Sequence, residues 1–220
     1  MHYLIMNLKS NLMSFGHYSK RYDRDTNEFP TRSAIYGMIL CSLGKKGEMP
    51  ELFEKLNNMK INVYSYKETS LEKDFQTIGS GWDENLYKYK FLKKCDGSKS
   101  PTGSKIFYKH YLSNQHYRVV LEIADECLAN EIADYLKKPV WQPYFGRKKC
   151  IPCEPIFNGL YDNKEEAMSF IEKDNPIYKY SEDMPDENKF IKMISLRDVP
   201  VKCLNDYDNY LNRRVYVSEY

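Results

Sequence analysis

The sequence predicts an α+β protein built on a ferredoxin-like, split βαβ domain, with a basic arm inserted in it and a small β-rich appendage behind it. Three observations predict this. Apolar periodicity gives the order strand, helix, strand, then an irregular stretch, then strand, helix, strand. The irregular stretch, at about 67–105, is lysine-rich and punctuated by Gly79, Gly81, Gly97, Pro101 and Gly103, which makes it too long for an ordinary connection and suits an extended arm or hairpin. Beyond residue 156 the pattern weakens into one short helix and two strand-like runs. The expected division is 1–155 for the first domain with its arm, and 156–220 for an appendage packed on it.

Each element has a local reason. Residues 3–8, Tyr-Leu-Ile-Met-Asn-Leu, are apolar enough for a mostly buried strand. Residues 9–30 lack periodicity and carry Lys20, Arg21, Asp23, Arg24 and Asp25, with Gly16 in their midst, so a long polar loop is expected. Pro30 and Thr31 are helix-start chemistry, so Ala34–Leu43 reads as the first helix, stopped at Gly44. Its Ala34, Gly37, Met38 and Cys41 are small or flexible and suit close packing on a sheet. A second start at Pro50 places Leu52, Phe53, Leu56 and Met59 at helical spacing, and Ile61–Tyr66 reads as a strand. Tyr117–Ile123 is the next strand. Cys127–Lys138 is an amphipathic helix with Leu128, Ile132, Ala133 and Leu136 on one side and Pro139 at its end. Trp141–Phe145 is expected to close the domain as its last strand. A helix near 164–173 and strands at Phe190–Leu196 and Arg213–Val217 make up the appendage.

Composition narrows the function. The chain has 220 residues, of which 42% are hydrophobic, enough for a substantial core. Mean hydropathy is -0.69, and no run approaches the roughly 18 apolar residues of a membrane span. The N-terminal Met1-His-Tyr-Leu-Ile-Met has no basic lead-in and too short an apolar run for a signal peptide, so a cytoplasmic protein without a membrane role is expected. Cys41, Cys95, Cys127, Cys150, Cys153 and Cys203 are scattered, and in such a compartment they are expected to be reduced. Net charge is only +2, but it is uneven. From Tyr87 to Lys109, seven lysines (88, 90, 93, 94, 99, 105, 109) face one acid; from Glu154 to Asp198, eleven acids face six bases. Such asymmetry points to a polyanionic partner on one face.

The stretch Trp141–Pro155 gathers the relevant chemistry. Aromatic rings, Tyr144 among them, end at Gly146; Arg147, Lys148 and Lys149 follow; Pro152 and Pro155 then stop any regular element. A tight turn there can collect the three cations at one rim. By itself this fits either an anion beside a stacked base or a solvated basic turn. Cys150-Ile-Pro-Cys153 has zinc-knuckle spacing but lacks a second pair, so neither a metal nor a cofactor is expected. There is no phosphate-cradling glycine loop and no nucleophile elbow. Tyr108, Lys109 and His110 could supply the acid, base and cation of a metal-independent ribonuclease. Neighbours on a strand point to opposite faces, however, so the preferred reading is Lys109 as a phosphate contact and His110 as structural.

Several stretches together resemble one family. Leu12-Met-Ser-Phe-Gly16, Phe29-Pro-Thr-Arg-Ser33 entering an apolar helix, Lys109-His-Tyr-Leu112, and Tyr144-Phe-Gly-Arg-Lys-Lys-Cys150-Ile-Pro are similar, in order, to the CasD-type (Cas five) subunits of type I CRISPR Cascade complexes, members of the RAMP superfamily. Lys149 stands where that family usually has serine. Leu196-Arg-Asp-Val-Pro200 and Arg213-Arg-Val-Tyr216 also resemble the family's close. The type I-E branch fits best.

The resemblance implies an RRM-like RAMP domain whose thumb coincides with the lysine-rich arm. It implies a non-catalytic subunit that grips the 5′ handle of the crRNA, caps the backbone filament and contacts the PAM-reading large subunit, meeting target DNA only indirectly. It makes Ser14, Phe15, Gly16, Arg32, Ser33, Lys109, Gly146, Arg147 and Lys148 handle contacts. Lys20, Arg21, Arg24, Lys105, Tyr144 and Lys149 join them as nearby cations and rings. In the I-C branch the equivalent subunit cuts its own precursor with Tyr, Lys and His, which keeps Tyr108, Lys109 and His110 open as an alternative.

Overall fold

The computed structural model describes residues 1–16, 22–47, 49–78, 105–201 and 210–220. The first strand, β1, runs over His2–Met13, well past the expected 3–8. It lengthens because it pairs antiparallel with β5 (Lys105–Ile123) from His2↔Ile123 to Met13↔Leu112, which draws polar Lys9 and Ser10 into the ladder. The polar loop is correspondingly shorter and holds a two-residue strand, β2 (Asp23–Arg24), parallel to Tyr108–Lys109 of β5.

Helix α1 covers Arg32–Leu43. Thr31 caps it, its hydroxyl accepting the Ala34 N–H at 3.2 Å, and Gly44 ends it at φ +66. Helix α2 (Pro50–Asn57) buries Phe53 and Leu56. Strand β3 (Lys60–Ser65) then lies on the C-terminal half of β5. Strand β4 (Leu71–Ile78) lies on the N-terminal half, from Leu71↔Leu112 to Ile78↔Lys105. The expected arm therefore begins as a two-stranded ribbon; its lysines 88, 90, 93, 94 and 99 lie outside the described residues, as do Lys20 and Arg21.

Helix α3 (Glu126–Lys137) starts at Asp125, whose carboxylate accepts the Leu128 N–H at 3.1 Å. The strand expected at Trp141–Phe145 is not there. Pro139 and Pro143 lack the N–H a ladder needs, and the backbone docks on the end of α1 instead, Val140 N to Ser42 O at 2.8 Å and Trp141 N to Cys41 O at 3.3 Å. Strand β6 (Phe157–Tyr161) takes the place beside β1. It is followed by α4 (Lys164–Glu172), β7 (Tyr178–Ser181), β8 (Phe190–Pro200) and β9 (Tyr210–Glu219).

The strands form one sheet in the order β6-β1-β5-β3-β7-β9-β8, with β2 and β4 also on β5. All neighbours are antiparallel except β2 with β5. The fold is thus mixed α/β with a mostly antiparallel sheet. The expected boundary at 155/156 falls between segments that share this sheet. The larger core, including Leu4, Leu8, Tyr36, Ile39, Val119 and Ile132, lies between the sheet and α1, α2 and α3. A smaller one on the other face joins Ile5, Tyr64 and Val120 to Ala167 and Ile171 of α4. Burying such side chains contributes roughly 1.5–3 kcal/mol each.

Candidate nucleic-acid interface

Three of the stretches singled out in the sequence meet at one cleft of about 320 Å³. Ser14, Phe15 and Gly16 reach it from the end of β1, Thr31 and Ser33 from the start of α1, and Tyr144 and Gly146 from the loop after α3. A backbone bond joins the first of these to the third. Ser14 N–H donates to Phe145 O at 3.1 Å, and Ser14 Oγ donates to His110 O at 3.1 Å. Phe15 N–H donates to Thr26 Oγ1 at 2.9 Å. Ser14 and Phe15 are 3% and 1% exposed, so they act as wall, while Gly16 and Tyr144 are exposed.

Gly146 is required where it stands. Its φ is +83, and a Cβ there would lie 1.7 Å from the Ser14 carbonyl oxygen. The turn that follows closes on itself, Phe145 N to Cys150 O and Cys150 N to Arg147 O, both at 2.8 Å. Cys150 is fully buried under it, and that burial pushes its thiol above the usual range. Cys153 is exposed. The two cysteines are thus in different environments, and among the described residues no group of three or more His, Cys, Asp or Glu could hold a metal ion.

The turn does gather cations. The Arg147 guanidinium lies 4.5 Å from the Tyr111 ring centre, as does the Lys149 ammonium. Arg147 also donates to Arg24 O at 3.1 Å, which ties the turn to β2, and Lys149 lies 3.3 Å from Asp74 of β4. Lys148 is exposed. Lys109 is on the same side of β5 as Tyr111 and bonds Gln76 Oε1. Lys105 is the first residue of β5, in register with Ile78.

Arg32 is a correction. It is 6% exposed, and its guanidinium bonds Met59 O and lies 3.4 Å from Glu182, away from the cleft. Its backbone N–H donates to Asp198 at 2.7 Å, and Asp198 in turn takes both Nε and Nη2 of Arg213 at 2.7 Å. A buried guanidinium needs such partners, and the acids of β7's end and β8 supply them.

The helix face Ala34, Gly37, Met38 and Cys41, expected to pack on the sheet, lines the cleft instead, although Met38 remains buried. A Cβ on Gly37 would meet nothing within 4 Å. Sequence reasoning also missed Tyr210, which reaches the same cleft from the start of β9. A glycine inside an otherwise well-capped helix was the available signal for the first; no local signal announces the second.

Tyr108, Lys109 and His110 do not converge. Tyr108 and His110 share one face of β5, where Lys73 stands 4.1 Å from the Tyr108 ring and His110 Nε2 is 3.0 Å from Asp23. Lys109 is on the other face, with Gln76 and Tyr111.

A mostly antiparallel sheet with helices on both faces, and a cleft next to a turn that carries three cations, define a mixed α/β protein. The chain belongs to the CRISPR-associated protein family (Cas_Cas5), whose profile matches residues 3–213. It is 23% identical over 168 residues to the CRISPR system Cascade subunit CasD of Escherichia coli (strain K12), covering 71% of this chain and 70% of that protein. Its fold is similar to a chain of a CRISPR RNA-guided surveillance complex, with a TM-score of 0.72 and 20% identity over 99% of this chain and 89% of that one. A crystal structure of a Cas protein is also similar, with a TM-score of 0.64, 19% identity, and coverage of 99% and 93%. Among the described residues no helix is long and apolar enough to cross a membrane.

Proposed function

We propose that this chain is the CasD-type subunit of a type I-E Cascade surveillance complex, a non-catalytic subunit that grips the 5′ handle of the crRNA. On this reading it also caps the backbone filament, contacts the PAM-reading large subunit, meets target DNA indirectly and works in the cytoplasm. Family membership and the likeness to a Cascade subunit support the assignment. The order β6-β1-β5-β3, all antiparallel, supports the split βαβ, RAMP-type reading of the domain.

The observation that carries the proposal is the convergence of Ser14, Phe15 and Gly16 with Thr31 and Ser33 and with Tyr144 and Gly146 on one cleft, the three cations 147–149 following next in the chain. Single-stranded RNA is held by phosphates on cations and backbone N–H groups, and by splayed bases on rings. Arg147, Lys148 and Lys149 at the turn, with Arg24 and Lys109 beside it, supply the first, and Tyr144 supplies the second. Arg32 is a framework residue in this scheme. The separation of Lys109 from Tyr108 and His110 argues against a ribonuclease site.

The test incubates the purified protein with labelled repeat RNA in EDTA at two salt concentrations. Retention of the handle without cleavage is expected, weakened by Arg147→Ala, with a salt slope of about -0.7 for each phosphate neutralised. Cleavage at one position, abolished by His110→Ala, would make the chain a processing nuclease of the I-C kind and overturn the proposal.

A further inference from the structure

The cleft has an uncharged lining. None of its lining residues is Asp, Glu, Lys or Arg. A phosphate inside it would have no counter-charge, whereas the cations of 147–149 follow directly on Gly146 at its wall. A flat, neutral, hydrogen-bonding group is better matched, and about 320 Å³ is at the lower end of volumes, about 300–1,000 Å³, that hold small organic ligands.

Its walls carry two tyrosines from distant parts of the chain. Tyr144 is 37% exposed. Tyr210 opens β9, opposite Pro200 of β8, and its carbonyl accepts Arg197 Nε at 3.0 Å. The β8–β9 hairpin is fixed to the cleft by Asp198, which bonds the Arg32 N–H at the head of α1 and the guanidinium of Arg213 on β9. Tyr210 is therefore carried on a strand whose position relative to Thr31 and Ser33 is set by buried polar contacts. Gly37, on the same lining, leaves the helix surface bare with open space above it.

We infer that the C-terminal hairpin is a working part of this site, and that Tyr210 stacks on one unstacked nucleobase held over Gly37, with the Ser33 hydroxyl, 3.1 Å from Thr31 Oγ1 in this structure, turning to the base edge. The inference rests on the RNA-binding reading of the cleft and adds to it a residue and a ligand chemistry: a base in the interior, phosphates at the rim. It makes the hairpin more than an appendage.

The test uses the full-length protein and a series of RNA oligonucleotides of the repeat-derived 5′ segment, each with one base removed at a different position. Tyr210→Ala should weaken binding of intact RNA about ten-fold, as loss of a ring–base stack does, leave the salt slope unchanged, and Tyr210→Phe should restore affinity. At one abasic position, and only there, Tyr210→Ala should have no further effect. Equal losses across every abasic RNA, or restoration by Tyr210→Leu as complete as by Tyr210→Phe, would overturn the stacking role. A wild-type protein with no preference for this RNA over a scrambled one would instead sink the RNA-binding reading itself.

Discussion

Asp198 Oδ2 accepts the backbone N–H of Arg32 at 2.7 Å, so a carboxylate from β8 caps the first turn of α1 across 166 residues of sequence. The first turn of a helix has N–H groups without intrahelical partners, and a carboxylate there satisfies one of them and complements the helix dipole. The same carboxylate pairs with Arg213, whose side chain is 8% exposed against 2% for Asp198. The cleft's α1 wall and its C-terminal wall thus share one buried ion.

Asp198→Ala is expected to cost about 3–5 kcal/mol, because it leaves the Arg213 guanidinium and the Arg32 N–H without that partner. Chemical denaturation checks this. A midpoint shift equivalent to less than about 1 kcal/mol would mean that water replaces the carboxylate with little loss.

Gly146→Ala should destabilise the turn by at least about 2 kcal/mol, since an L side chain is strained at φ +83 and would collide with the Ser14 carbonyl. RNA retention should fall with it. A variant with wild-type melting would show that the turn can relax away from β1.

Gly37 separates folding from binding. Gly37→Ala should raise stability by up to about 1 kcal/mol, because the helix gains propensity and the new methyl meets open space. Gly37→Leu should keep the melting temperature at or above wild type yet reduce RNA affinity, as its side chain fills the cleft. Parallel thermal melts and binding curves decide it; unchanged affinity for Gly37→Leu would place the RNA elsewhere.

Lys148→Ala should leave stability within about 0.5 kcal/mol of wild type, as an exposed lysine on a turn does. The salt slope of RNA binding should become shallower by about 0.7 if Lys148 neutralises one phosphate. An unaltered slope would remove it from the contact set.

His116 gives a pH dependence on the opposite face of the sheet. Burial, with Arg118 and Lys9 nearby, lowers it from 6.5 to about 4. The unfolded chain therefore binds more protons than the folded one between those values, so stability rises with pH across that window and is lost as pH falls from about 6.5 towards 4. The ring stacks on Tyr66 at 4.7 Å and bonds Asn7 Oδ1 at 2.8 Å, contacts that protonation would put at risk beside a guanidinium. His116→Gln should flatten the pH dependence of the denaturation midpoint between pH 6.5 and 4; an unchanged slope would assign it to carboxylates.

Features set by short-range chemistry were legible in the residues alone. Thr31 and Gly44 mark the ends of α1, and Pro139 the limit of α3, because caps and breakers act within a turn of the helix they close. The order of the motifs around Phe15, Thr31 and Gly146 pointed to the family and to most of the cleft. What long-range partners decide was out of reach. Strand β1 extends to Met13 only because β5 offers it a ladder, and β6 rather than 141–145 lies beside β1 because Pro139 and Pro143 have no N–H to give. Arg32 looks like an exposed cation in its motif, but Glu182 and Asp198 arrive from the far end of the chain to bury it. Tyr210 joins the cleft by the same route. Burial and pairing are properties of what the fold brings near, and only the tertiary structure fixes them.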